Sequence, residues 1–187
     1  MTSATDKTPS FDLASRVEPP PYGDETATLL GFLDYQRNTF RVKTGGLTAE
    51  QLAIALPPSP MTLGGMMKHV ALNEVSWFSE SLHGDAAPEP WASVDWEADR
   101  DWEWHTAAQD SPAELAALLD ESVRIADDGI ARAMAGDGFD TRAVREDRES
   151  GEAFSLRWIV THMIEEYARH NGHADLIRES IDGETGE

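Results

Sequence analysis

The chain contains no cysteine. Disulfides, cysteine-ligated zinc and a cysteine nucleophile are therefore excluded. No apolar run is long enough to cross a bilayer, so no membrane partner is expected. The opening stretch MTSATDKTPSFDLASR lacks the basic start and apolar centre of a secretory signal, and a soluble cytoplasmic protein is expected. Positive charge is scarce, with 15 Lys and Arg against 35 Asp and Glu and a formal net charge of −20. Such a field repels phosphate backbones, and no Lys/Arg-rich face stands out to overcome it, which argues against nucleic acid as a partner. The acidity suits a solvated surface, and an anionic substrate would need a local positive centre. There is no Gly-x-Ser-x-Gly elbow. Gly64-Gly65 stands near a helix start without the rest of any phosphate-binding motif.

What remains is a chain of 187 residues, 40% of them hydrophobic, enough for one domain with a sizeable core. Residues 1–23 end in Val17-Glu18-Pro19-Pro20-Pro21-Tyr22-Gly23 and read as an extended or disordered arm, because serial prolines remove amide donors. If the arm packs down, Phe11, Leu13 and Tyr22 are the side chains to do it. Residues 24–187 read as one helical domain. Asp24 caps a first helix that Gly45-Gly46 ends. Thr48-Ala-Glu-Gln51 is a capping box for a short helix ending by Pro57-Pro58. A second long helix, Thr62 to Leu82, is apolar almost all round, as a buried element would be. Residues 83–110 carry Trp91, Trp96, Trp102 and Trp104 among acids and form a Trp-rich connecting loop able to cover one end of the fold. Ser111 and Pro112 open a third helix running to about Ala135. The charged 142–154 segment forms a loop or small hairpin, and a last helix runs from Ser155 to about Ser180. Four long helices without convincing strands predict an all-α four-helix bundle.

Three of the six histidines fall in Thr161-His-Met-Ile-Glu-Glu-Tyr-Ala-Arg-His-Asn-Gly-His173. On a wheel of about 100° per residue with His162 at zero, Glu166 lies at ~40°, His170 at ~80° and His173 at ~20°. The apolar stripe of this helix occupies roughly 60° to 140°. Glu166 and His170 thus sit on or beside the core face, where an unpartnered carboxylate is costly. Arg37 is one candidate to balance it. A cation is another, because an i,i+4 pair lies on one face at about 6 Å and can share one ion. The second helix offers a single histidine, His69, as third ligand. Two imidazoles, one carboxylate and open positions suit catalysis or ligand binding rather than a closed structural site. A dinuclear carboxylate site would need Glu-x-x-His on two helices, and no such motif is present. His162 and His173 flank the pair and could substitute as ligands or meet substrate.

Leu30-Gly-Phe-Leu-Asp-Tyr-Gln-Arg37, Gly46-Leu-Thr-Ala-Glu-Gln-Leu52, Leu63-Gly-Gly-Met-Met-Lys-His-Val70, Glu74-Val-Ser-Trp-Phe78 and the His162–Glu179 run resemble the DinB-like superfamily. Within it the chain is similar to an actinobacterial branch labelled a domain of unknown function, over residues 24 to 180. The resemblance implies a metal-binding four-helix bundle with one histidine from the second helix and an i,i+4 pair from the last. His69, Glu166 and His170 match that pattern in the variant resembling the N-terminal domain of mycothiol-dependent maleylpyruvate isomerase. The isomerase's C-terminal domain has no counterpart here, which turns the expectation toward a simpler transferase. Such a protein would use one divalent metal to activate mycothiol or a related low-molecular-weight thiol for attack on a small electrophile. With no cysteine in the chain, the sulfur arrives with the cosubstrate. Zinc and nickel suit the ligands, and ferrous iron also fits two histidines and one carboxylate. Asn73, His162, Arg169 and His173 are candidates to orient substrate or act behind the ligands. A metal-dependent hydrolase and a non-enzymatic metal- or ligand-binding protein are the rival readings. Bundles of this superfamily often pair, and Trp77 and Phe78 on an apolar helix make a homodimer a further expectation.

Overall fold

The computed structural model describes residues 6–185. Residues 1–5 of the expected arm and 186–187 of the expected domain lie outside the described residues. The structure is mostly helical, with one small two-stranded sheet. Helix α1 spans Glu25–Thr44, α2 Ala49–Leu52, α3 Leu63–Val75, α4 Trp102–Thr106, α5 Pro112–Met134 and α6 Leu156–Asp182. Strands β1 (Arg142–Glu146) and β2 (Ala153–Ser155) pair antiparallel across an irregular register, Arg142 opposite Ser155 and Glu146 opposite Ala153.

Local chemistry sets the helix ends. Asp24, Thr48, Thr62, Ser111 and Ser155 each accept a hydrogen bond from a first-turn amide, and Thr48 and Ser111 complete reciprocal capping boxes with Gln51 and Glu114. Each cap is worth about 1 kcal/mol. At the other end of α6, Gly183 adopts φ 79°, a left-handed conformation open to glycine. Arg178 closes α1, donating from Nη1 to the carbonyls of Lys43 at 3.1 Å and Gly45 at 2.8 Å.

Helix α1 lies along α6, and α3 along α5. Phe40, Leu63, Met66, Ala71, Val75, Phe78, Leu156, Ile159, Val160 and Met163 fill the space between them with no measurable exposure. Phe78 is thus spent inside its own chain and offers no surface to a second copy. A buried ionic cluster ties three of these helices together. The Arg37 guanidinium donates to both Glu74 oxygens at 2.7 and 2.6 Å, and Tyr167 donates to Glu74 Oε1 at 2.8 Å. Arg37 is therefore committed to Glu74 and leaves Glu166 without it.

The second long helix departs from its expected form. It is α-helical only to Val75 and continues as a π-helical segment over Ser76–Ser81. Here the chain presses against α5 so closely that a methyl group on Gly129 would lie 2.2 Å from the Phe78 carbonyl oxygen. The arm attaches through Thr8, whose amide donates to the Leu47 carbonyl at 2.8 Å and whose hydroxyl donates to the Thr44 carbonyl at 2.6 Å. Of the three side chains expected to anchor the arm, Phe11 is partly buried, while Leu13 and Tyr22 face solvent, Tyr22 at 99% exposure.

Candidate metal centre

Helices α3 and α6 pass each other antiparallel. His69 meets His170, Glu74 meets Tyr167 and Trp77 meets His162, so residue numbers rise on one helix as they fall on the other. Four-residue steps keep side chains on one helix face. His69, Asn73 and Trp77 therefore line the seam from one side, and His162, Glu166 and His170 from the other.

One ligand atom from each of His69, Glu166 and His170 lies within 4.8 Å of the other two. An ion with bonds of about 2.0–2.2 Å can close that span with small side-chain shifts. Several features of the donors suit this use. His170 is 6% exposed. Burial first, and then the neighbouring His69, push its pKa down to about 4, so the ring is neutral at neutral pH, the form that ligates. His170 Nε2 sits 3.5 Å from Glu166 Oε2, while Nδ1 is buried without a hydrogen-bond partner among the described residues. The Glu166 side chain is only 17% exposed, and no Lys or Arg pairs with it among the described residues. A half-buried carboxylate facing a neutral imidazole lacks the charge compensation that a cation would supply.

A fourth residue completes the arrangement, and the sequence did not single it out. Glu103, on α4 in the Trp-rich connection, places Oε1 3.1 Å from His69 Nδ1 and is 4% exposed. A carboxylate only accepts, so Nδ1 carries the proton and Nε2 keeps its lone pair. This is the carboxylate–histidine arrangement that fixes ring orientation behind metal sites. Trp104 covers the same imidazole at 5.0 Å between ring centres and reaches His170 at 6.4 Å. Gly65 leaves room for it: a methyl there would lie 2.6 Å from Trp104 Cε3. Lys68 fastens the segment, donating to Thr106 Oγ1 at 2.8 Å and Asp110 Oδ2 at 2.5 Å beneath the Trp102 ring. The 83–110 stretch is thus a cover pinned over the histidines. An acid between two tryptophans, Trp102-Glu103-Trp104, was the signal available in the sequence.

The other candidates divide. Asn73 Nδ2 donates to His69 Nε2 at 3.2 Å and has to turn aside before that nitrogen can ligate. His162 packs against Trp77 and Trp158. The His173 ring is 6.1 Å from His170, with Nδ1 buried and unpartnered among the described residues. Arg169 is not at the centre; it points outward and pairs with Glu165 at 2.6 Å. His105 is likewise outside, bonded to Asp99, and His83 bonds the Gly129 carbonyl at 2.9 Å.

No helix among the described residues is long and apolar enough to cross a membrane. A family model described as MST, mycothiol-S-transferase, matches residues 28–183. The matched span takes in His69, Glu103, Glu166 and His170. No curated protein matches the chain.

Proposed function

The chain belongs to the mycothiol-S-transferase family, a DinB-like family, and from that premise we propose that it is a divalent-metal-dependent transferase. It joins a low-molecular-weight thiol of the mycothiol type to a small electrophile. The supporting observation is the convergence of His69, Glu166 and His170 donors within 4.8 Å on a face that solvent reaches. A divalent ion held there supplies the positive charge that lowers a thiol's pKa toward neutrality. His69 and His170 enter as neutral ligands, and Glu166 contributes one negative charge, leaving about one positive charge at the centre. That local charge offsets the −20 of the whole chain where the thiolate has to form. Glu103 holds the His69 ring in the ligating tautomer, and Trp104 keeps water from one side. The proton the thiol gives up can pass to the solvent that reaches this face. Zinc and nickel suit the donor set, and ferrous iron also fits. The four long helices correspond to the DinB-like four-helix bundle, with residues 24–187 as its domain and residues 1–23 as an N-terminal arm, of which Thr8 bonds the end of α1 and the α1–α2 connection.

The test is metal analysis of protein purified without chelator, followed by conjugation assays with mycothiol and other thiols. About one ion per chain is expected, with loss of an electrophile that requires both thiol and metal. Full metal retention by both His69→Ala and His170→Ala removes the site assignment. Chelator-sensitive hydrolysis without thiol replaces the transferase by a hydrolase.

A further inference from the structure

The metal centre leaves part of the α3–α6 seam unexplained. Beyond it, four aromatic side chains gather where the π-helical segment, β2 and α6 meet. Trp77 lies 5.3 Å from both Phe154 and Trp158 and 5.0 Å from His162. Trp158 stacks on His162 at 4.9 Å with the planes 20° apart. From β1, the Arg145 guanidinium stands 5.3 Å from the Trp77 ring centre, and Nη1 donates to Ser81 Oγ at 3.3 Å. Trp77 and Phe154 are partly buried against the core, while Trp158 at the edge of the cluster is 44% exposed. An indole left open to water forgoes burial worth about 25 cal/mol per Å², and an open ring on a packed aromatic base offers a face to a ligand.

The position of the cluster is set by the same two helices that carry the metal donors. Trp77 follows His69 by eight residues, and Trp158 precedes Glu166 by eight. At 1.5 Å per residue each separation is about 12 Å, and two four-residue steps keep it on the seam. Between the two ends the side chains of His69, Glu166 and His162 remain 17–23% exposed. A strip reachable from solvent therefore joins the donors to the aromatic shelf.

We propose that the Trp77–Trp158–His162 shelf with Arg145 is the subsite for a polyol ring carried by the thiol cosubstrate; this rests on the thiol-transferase reading above. In that reading the electrophilic carbon has to lie at the sulfur, beside the metal, so the Trp77 and Trp158 indoles, about 12 Å along the helices, are out of reach of the reacting part of a small electrophile. It is reached by a thiol whose body extends away from its sulfur, and mycothiol is a cysteine derivative bearing a sugar linked to inositol. The aliphatic C–H face of such a ring lies flat on an indole. Arg145 N–H groups and the His162 ring meet its hydroxyls at the edge. Binding the remote body of the cosubstrate orients the sulfur at the reacting centre.

The experiment compares mycothiol with N-acetylcysteine, which shares the sulfur end and lacks the polyol, by calorimetry on metal-loaded protein. Trp158→Ala is expected to weaken mycothiol about tenfold, the scale of one lost ring contact, with N-acetylcysteine affinity and metal content unchanged. Trp158→Phe should recover part of the loss. A companion titration uses metal-stripped protein and the thiol-free glucosaminyl-inositol, which should quench tryptophan fluorescence in the wild type and not in Trp158→Ala. Unchanged mycothiol affinity in Trp158→Ala overturns the subsite, as does equal weakening of both thiols or a rise in the KM of the electrophile alone. If the wild type binds neither thiol, the transferase reading fails by itself. The thiol-free titration then decides the shelf, quenching supporting it and its absence removing it.

Discussion

Glu103 Oε1 lies 3.1 Å from His69 Nδ1, and with the Trp104 ring against the same imidazole it makes the Trp-rich connection part of the histidine pair's surroundings. An amide in place of the carboxylate accepts more weakly and can turn its NH2 to the ring instead, so orientation and tautomer are held less firmly. Glu103→Gln should lower metal affinity 10- to 100-fold, the usual cost of losing a carboxylate behind a ligating histidine. Competition with a chromophoric chelator reads this directly. Wild-type affinity in Glu103→Gln would mean that Trp104 packing alone holds the ring.

The Arg37–Glu74 pair is a site where removing one partner is costly. Glu74 has no measurable exposure and Arg37 is 3% exposed. Arg37→Met leaves a buried carboxylate with only the Tyr167 hydroxyl, and a loss of about 3–5 kcal/mol is expected from chemical denaturation. Glu74→Gln leaves the buried guanidinium with Asp127 at 2.9 Å and Asp34 at 3.4 Å as its anionic partners and should also destabilise, by less. The double variant Arg37→Met/Glu74→Met should regain much of the loss, because neither charge then has to be desolvated. A double variant as unstable as the sum of the singles would contradict this.

How far the sequence revealed these features follows from how local each signal is. Helices α1, α5 and α6 were legible because Asp24, Ser111-Pro112 and Ser155 carry their caps within three residues of the first turn. The i,i+4 pair Glu166–His170 was legible for the same reason, and His69 because α3 has no other histidine. The π-helical segment was not, since apolar periodicity over six residues does not separate i→i+4 from i→i+5, and the contact at Gly129 comes from another helix. Glu74 was missed although it is more buried than Glu166, because its partners Arg37 and Tyr167 lie 37 and 93 residues away. Glu103 had no periodic context at all, and only the folded cover brings it to His69.

Gly129 offers a test of the close approach between α5 and the π-helical segment. A methyl there would meet the Phe78 carbonyl oxygen at 2.2 Å, and both partners are backbone, so no side chain can swing away. Gly129→Ala should destabilise by about 1–3 kcal/mol, the cost of an overpacked core, although alanine is the better helix former. A thermal midpoint equal to or above the wild type's would show that the helices separate without cost.

His170 ties acid stability to the metal. Its pKa is pushed down to about 4, by burial first and then by His69, against about 6.5 for a histidine in an unfolded chain. Between these values the unfolded chain takes up a proton that the folded, metal-free protein refuses. The contribution of His170 to stability is therefore complete above pH 6.5 and is lost as the pH falls from about 6.5 to 4. Carboxylates titrate at the lower end of this window, so the comparison has to be made within one protein pair. The thermal midpoint of metal-stripped wild type should fall more steeply between pH 6.5 and 5 than that of metal-stripped His170→Gln, which has no proton to take up there. A saturating divalent ion should flatten the wild-type curve, because a ligated nitrogen cannot be protonated until the metal leaves. It should do little to the variant. In NMR titrations of the metal-stripped protein, the His170 ring should change charge well below pH 6. A midpoint near 6.5 would show that the ring is solvated and that Glu166 faces a charge it can pair with, removing the reason for a cation between them.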